Sequence, residues 1–242
     1  MAFTDNPQPV SLPDWLQQQA RQQGASIALR HKRLGIWHVH TWRQLADEVQ
    51  NLAVVLLARG FAAGATLVIV SRPRPEALLA ALAAQWLGGV AALLDPLDAA
   101  EVQVQLLREL NTDFVLAEGL AEIQRLRAAA ATPSLLIYAD ARGMADLRLA
   151  DNALEYAHLV QQIVQQRAEP LLTPQAQPER TAFAFYRLGV EQRIEQQRIS
   201  HTELLQEGRR LVHREQLGRQ EEALAARAFA AGDRLATCWH RG

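Results

Sequence analysis

The sequence predicts an α/β fold in which βαβ units build a mainly parallel sheet. Three observations predict it. Short apolar runs of strand length recur at Thr66–Ser71, Val90–Leu94, Asp113–Ala117 and Leu135–Tyr138. Between them lie helical stretches of about 10–15 residues, the alternation expected of βαβ units. The runs are apolar throughout instead of alternating, as expected of strands covered by helices on both faces.

The elements follow in chain order. Ser11, with Pro13 and Asp14 behind it, marks a helix start over residues 11–23. Ile27–Arg30 and Ile36–His40 are short β-prone runs flanking Lys32–Gly35, which predicts a hairpin. Thr41 then caps a helix. In it Trp42, Leu45, Ala46, Val49, Leu52, Ala53 and Leu56 fall on one stripe, and Gly60 closes it. Helices are predicted at Pro75–Leu87, ended by Gly88 and Gly89, at Ala99–Leu110 and at Gly119–Ala130.

Arg142–Asp151 reads as a polar connection and Asp151–Arg167 as a peripheral helix. Glu169–Arg180, with Pro170, Pro174 and Pro178, is the clearest linker. It separates an α/β part over residues 1–168 from a second segment over residues 181–242. That segment reads as a strand (Thr181–Tyr186), an irregular polar stretch, a helix (His201–Leu217) and a last strand (Ala231–Cys238). No internal repeat is visible.

Composition excludes several function classes. The 242 residues are 49% hydrophobic and 21% charged, enough to bury a core without metals or disulfides. Lys plus Arg is 25 and Asp plus Glu is 26, so the net charge of -1 points to neither nucleic acid nor an anionic membrane. Cys238 is the single cysteine, which leaves no internal disulfide and no cysteine cluster for a metal. A reducing cytoplasm is the simplest fit. The opening MAFTDNPQPVSLPDW lacks a signal-peptide pattern. The apolar stretch Ala77–Leu94 is broken by Gln85, Gly88 and Gly89, so no membrane span is expected.

Candidate sites outside the fold pattern are few. His31, His38 and His40 are close in sequence, and the last two share a strand face. No carboxylate or Cys lies at ligand spacing, so an exposed hairpin is the simpler reading and no metal ligand is assigned. Trp15, Trp37, Trp42 and Trp86 read as core or boundary residues before stacking platforms. His213, Arg214 and Glu215 belong to a charge-rich helix, which reads as a solvated face. Ser200 and His201 are adjacent and so poorly placed to act as nucleophile and base, and Ser200 as an N-cap suffices. Cys238, beside Trp239, reads as a buried structural thiol.

Four phrases carry a family resemblance. RHKRLGIWHVHTWRQLADEV (Arg30–Val49) is similar to the opening of bacterial long-chain acyl-CoA synthetases. GFAAGATLVIVSRPRPEALLAALAAQWLGGVAALLDP (Gly60–Pro96) resembles their next βαβ segment, where a strand is followed by N-R-P-E-W and a helix. PERTAFAFYRLGVEQRIEQQRISHTELL (Pro178–Leu205) falls where that family has P-x-D-x-A-x-x-x-Y-T-S-G-T-T-G-x-P-K-G-V-x-x-S-H-x-N-L. AGDRLATC (Ala231–Cys238) resembles A-G-D-x-x-L-S-x-L-P. Collinear over almost the whole chain, these resemble the N-terminal portion of the AMP-dependent synthetase and ligase superfamily.

The resemblance implies an incomplete N-terminal domain of the acyl-CoA synthetase fold. The family reaction couples ATP to a carboxylic acid through an acyl-adenylate, then transfers the acyl group to CoA. Its glycine- and hydroxyl-rich loop wraps the ATP phosphates, which requires close backbone approach. Aligned without gaps, Tyr186, Gly189, Ser200 and His201 keep the family identity. Arg187, Leu188, Val190, Glu191 and Gln192 replace the hydroxyl and glycine positions, and Glu195, between Ile194 and Gln196, replaces the lysine. Glu191 and Glu195 would face a triphosphate, at a cost of about 1–4 kcal/mol per close charge pair. The family's later motifs, which contact adenine, Mg²⁺ and ribose and carry the adenylating lysine, find no counterpart before Gly242.

The resulting expectation is a relative that is catalytically inactive on its own, with no catalytic residue assigned. No cofactor is expected; ATP with Mg²⁺, and CoA, enter only if the family function is retained. One alternative is an interaction module or half of a split enzyme, with a protein partner or a second copy covering the open sheet edge. Another is a residual sensor of acyl chains or nucleotides, and a last one is a remnant with no selected role.

Overall fold

The computed structural model describes residues 8–110, 112–145, 147–165, 173–189, 193–214, 216, 224–225 and 239–240. The first helix, α1 (Leu12–Gln23), starts where Ser11 Oγ accepts a 3.2 Å hydrogen bond from the Asp14 backbone N–H. Strands β1 (Ile27–Arg33) and β2 (Ile36–Thr41) form an antiparallel hairpin that turns through Leu34 and Gly35 at φ 49° and 84°. Helix α2 (Trp42–Ala58) opens with a reciprocal cap. Thr41 Oγ1 accepts from the Gln44 N–H at 3.2 Å, and Gln44 Oε1 accepts from the Thr41 N–H at 2.9 Å. Thr41→Ala is expected to lower stability by about 1 kcal/mol in a urea titration, with an unchanged slope. Trp42 meets Trp15 edge-on, ring centres 5.1 Å apart, at the boundary of α1 and α2.

The central sheet has seven strands. In chain order they are β3 (Thr66–Val70), β4 (Val90–Leu94), β5 (Phe114–Ala117), β6 (Leu135–Tyr138), β7 (Ala153–Glu155), β8 (Thr181–Leu188) and β9 (Ile194–Ser200). Their spatial order is β7-β6-β5-β3-β4-β8-β9, parallel except for the antiparallel pair β8–β9. The connecting helices are α3 (Pro75–Trp86), α4 (Ala100–Leu110), α5 (Leu120–Ala128), α6 (Tyr156–Gln165) and α7 (His201–Arg214). Two short strands, β10 (Leu224–Ala225) and β11 (Trp239–His240), pair with each other.

Strand periodicity explains why the apolar runs do not alternate. Leu67, Ile69, Ala91, Leu93, Phe114 and Leu116 pack on α1, α2, α3 and α6, while Val68, Val70, Ala92, Leu94, Val115 and Ala117 pack on α4 and α5. Successive side chains point to opposite faces, and both faces are covered. Helix α3 is apolar on nearly every side because it lies between the sheet and α2, and Leu79, Ala80, Ala81, Ala83, Ala84 and Trp86 are buried. Gln85, which broke that apolar stretch, is also buried, and its Nε2 donates a 3.0 Å hydrogen bond to the Ala182 carbonyl on β8. Gly89 is required by close packing: a Cβ there would lie 2.4 Å from Phe61 Cε1 and 2.8 Å from the Ala65 carbonyl oxygen.

Two readings are corrected. Residues 151–167 are not one helix, because Ala153–Glu155 extends the sheet as β7 before α6 begins. The stretch after Tyr186 carries strand where an irregular one was expected: β8 runs on to Leu188 and Ile194–Ser200 pairs back along it as β9, while Val190 and Gln192 lie outside the described residues. The hairpin strand β1 runs to Arg33, and α7 ends at Arg214. The predicted strand Ala231–Cys238, Cys238 itself, Glu191 and Glu215 lie outside the described residues. Among the described residues no helix is long and apolar enough to cross a membrane.

Candidate functional site

Strand order sets where a cleft opens. From β3 the chain moves to β4 on one side, then crosses back to β5 on the other. The connections leaving β3 and β5 therefore diverge to opposite faces, and a crevice opens at the carboxyl ends of the two strands. It has a volume of about 340 Å³ and is lined by Arg72, Pro96, Glu118, Gly119, Glu122, Asp140 and Arg142, among others.

Its charges are paired. Glu118, directly after β5, accepts from the Arg72 backbone N–H at 2.8 Å and from Arg72 Nε at 3.0 Å. Arg74 Nη1 lies 3.7 Å from the same carboxylate. Burial raises the Glu118 pKa, but the hydrogen bonds and charge of Arg72 outweigh it, so the carboxyl sits below its ordinary value. Two residues after β6, Asp140 accepts from the Arg142 N–H at 3.0 Å and from its Nε at 2.9 Å. The hydrogen bond from Arg142 holds Asp140 at about 2. Gly119 opens α5, its N–H donating to Glu122 Oε2 at 2.9 Å, and Glu122 in turn accepts from Arg125 Nη1 at 2.9 Å. The crevice thus presents two exposed guanidinium groups, each already bound to a carboxylate.

The residues singled out by the resemblance fall on the hairpin β8–β9, whose turn lies at the same carboxyl edge of the sheet. Tyr186 is half-buried against the α4–α5 side, and its hydroxyl accepts from Gln196 Nε2. Arg187 and Glu195 face each other across the hairpin, with Arg187 Nε donating to Glu195 Oε2 at 2.7 Å. The Gly189 N–H donates to the Arg193 carbonyl at 2.8 Å and closes the turn. The Glu195 side chain folds over Gly189, where a Cβ would come 2.2 Å from its Oε1. The space above that glycine is therefore filled by a carboxylate.

Ser200 and His201 are not brought together for chemistry. Ser200 caps α7: its Oγ accepts from the Glu203 N–H at 3.2 Å while its own N–H donates to Glu203 Oε2 at 2.7 Å. His201 is buried, with Nδ1 3.4 Å from the Leu12 N–H that opens α1. Burial lowers its pKa to about 4, against the opposing pull of Asp14. An apolar cavity of about 10 Å³ between α3 and the ends of β3, β4 and β8 has room for one water and not for an acyl chain. As they stand, no three His, Cys, Asp or Glu side chains among the described residues are arranged to hold a metal ion.

Sequence reasoning missed the crevice. Its signal was available: Arg72, Glu118 and Asp140 each stand within two residues of the end of an apolar run.

Comparison with known proteins follows the same lines. A family model described as AMP-binding enzyme matches residues 16–211. A solved protein described as a long-chain-fatty-acid CoA ligase from Rhodopseudomonas palustris superposes with TM-score 0.69 at 17% identity, covering 87% of this chain and 49% of that one. VinN superposes with TM-score 0.68 at 16% identity, over 87% of this chain and 48% of VinN. A fatty acyl-adenylate ligase from L. pneumophila, solved with acyl adenylate and pyrophosphate, gives 0.65 at 15% identity over 88% and 34%. At these identities the likeness is one of fold. The chain spans about half the length or less of these structures. Comparison with curated proteins gave no match.

Proposed function

Since the chain belongs to the AMP-binding enzyme family, we propose that it is a member that does not form acyl-adenylates through its β8–β9 turn. One observation carries this reading: the Glu195 carboxylate lies over Gly189, tied to Arg187. In the family's pattern this turn is the phosphate-binding loop and position 195 is a lysine. A loop that grips phosphates leaves its backbone N–H groups bare. Here the Gly189 N–H is consumed by the Arg193 carbonyl, and the space a phosphate would enter holds a negative charge. Both features oppose a triphosphate. We place the protein in the cytoplasm.

The test is ATP–pyrophosphate exchange with a panel of carboxylic acids, alongside thermal unfolding with ATP and Mg²⁺. No exchange and an unmoved melting temperature are expected, because a ligand of the folded state would raise stability by about 2.7 kcal/mol at a hundredfold excess over its Kd. Pyrophosphate or acyl-AMP formation that is lost on changing residues 186–195 overturns the reading.

The crevice favours a second reading, a residual binder of a phosphate-bearing small molecule such as AMP or CoA. Arg72 and Arg142 suit an anion only if it displaces Glu118 or Asp140. A dose-dependent melting shift with AMP or CoA, abolished by Arg72→Ala, would establish it; a transition that neither ligand moves would reject it.

A further inference from the structure

The hairpin β1–β2 holds apolar side chains out in solvent. Of the nine large apolar residues that are exposed among the described residues, five lie on it: Ile27, Leu34, Ile36, Trp37 and Val39. Single exposed apolar residues are ordinary, but a group of them marks a surface that meets something. Exposure peaks around the turn, where Leu34 is 81%, Ile36 65% and Trp37 64% exposed. Every residue from Lys32 to Val39 is exposed. Trp37, which the sequence places at the core or a boundary, projects into solvent instead.

Cations flank these residues. The register sets Lys32 opposite Trp37, Arg33 opposite Ile36 and Arg30 opposite Val39. Directly opposed residues share a face. One face therefore carries a basic row, Arg30 and Lys32, beside an apolar row, Val39 and Trp37. Lys32 Nζ lies 5.9 Å from the Trp37 ring centre. The other face holds Leu29 and His40 and packs toward α2. Residues 27–41 contain no Asp or Glu. The near-even charge of the whole chain thus conceals a hairpin on which every Asp, Glu, Lys and Arg position is basic.

We propose that this hairpin docks on an anionic lipid surface, with Leu34, Ile36 and Trp37 in the headgroup layer and Lys32 and Arg33 against the lipid phosphates. Each part has a matching chemistry. An indole ring favours the headgroup level, where one side is apolar and the other wet. Lys and Arg bury their stems there while their charged heads stay in water. Each such cation close to an anionic leaflet strengthens binding about fivefold. The turn through Leu34 and Gly35, both at positive φ, puts the most exposed apolar side chain at the extremity of the hairpin. A duplex nucleic acid would use the cations and leave Leu34 and Ile36 in water. Two hairpins packed face to face would set like charges together. An anionic bilayer uses both kinds of residue, and with no spanning helix among the described residues the attachment is peripheral and reversible.

The test is sedimentation of the full chain with vesicles of equal parts phosphatidylcholine and phosphatidylglycerol, and with vesicles of phosphatidylcholine alone. Saturable binding to the mixed vesicles is expected, at least tenfold stronger than to the neutral ones, and lost at high salt, which screens exposed charges. The double variant Lys32→Glu, Arg33→Glu changes only exposed positions and should weaken binding at least tenfold, with circular dichroism checking that it stays folded. Trp37→Ser should weaken binding severalfold and remove the blue shift of tryptophan emission that accompanies it. Absence of binding to the mixed vesicles overturns the proposal. So does binding that the double variant leaves unchanged, or equal binding to neutral vesicles, since either places the contact elsewhere. Self-association that Trp37→Ser abolishes, in a protein indifferent to vesicles, would make the patch an interface between copies and overturn it likewise.

Discussion

Replacing Trp86 with alanine is expected to lower unfolding stability by about 3–5 kcal/mol, the cost of emptying a fully buried aromatic site. Trp86 is the last residue of α3 and has no exposed surface. It ends the helix that packs against α1, α2 and the sheet at once. Its carbonyl accepts a 2.8 Å hydrogen bond from the Gln175 N–H, which fixes the segment leading to β8. The surroundings have little room to collapse, because neighbouring Ala83, Ala84 and Leu87 are themselves buried. Urea unfolding followed by circular dichroism reads the change. A loss below about 1 kcal/mol, the scale of an ordinary surface change, would mean that the end of α3 is not closely packed against α1, α2 and the sheet.

Acidification is expected to cost stability on the order of 2 kcal/mol between pH 7 and pH 5, through His201 alone. The sign follows from the two protonation states. Folded, the imidazole has a pKa of about 4; unfolded, it returns to its ordinary value of 6.5. Between those values the unfolded chain binds the extra proton, so stability is complete above the upper value and drains away as pH falls toward the lower one. The buried ring sits where α7 meets the start of α1, so its protonation strains the joint between the two ends of the fold. His201→Gln should flatten the pH dependence over this window, whatever it does to stability at pH 7. An equally steep profile in the variant would assign the acid sensitivity to other groups.

How much of this was legible in the sequence depended on where burial left its mark. The strands β3 to β6 were visible because both of their faces are covered, so each is an unbroken apolar run. The stripe from Leu45 to Leu56 revealed α2 for the matching reason, one buried face at helical spacing. Strand β9 was invisible: Glu195, Gln196, Gln197 and Arg198 are exposed, and only pairing with β8 makes the segment extended. Strand β7 is three residues long and runs straight into α6, too short for a period to register.

The candidate sites followed the same logic. The rewritten turn after Tyr186 could be identified because its residues are contiguous. What could not be foreseen was that Glu195 would fold back over Gly189. The crevice residues Arg72, Glu118 and Asp140 are far apart in the chain and meet only because parallel strands end at a common edge. That His31 stands opposite His38 on the hairpin depended on register, which pairing decides and local composition does not.

The seam between β4 and β8 has a consequence for synthesis. Ala91 to Leu94 pair with Phe183 to Tyr186, partners that leave the ribosome some ninety residues apart. Until the later strand emerges, the apolar β4 is a bare edge able to recruit strands from neighbouring nascent chains. Translation that stalls or stops between residues 95 and 180 would release such an edge permanently. Once β8 docks, it brings β9 with it, and the charged and amide-bearing outer strand then guards a flank that was briefly adhesive.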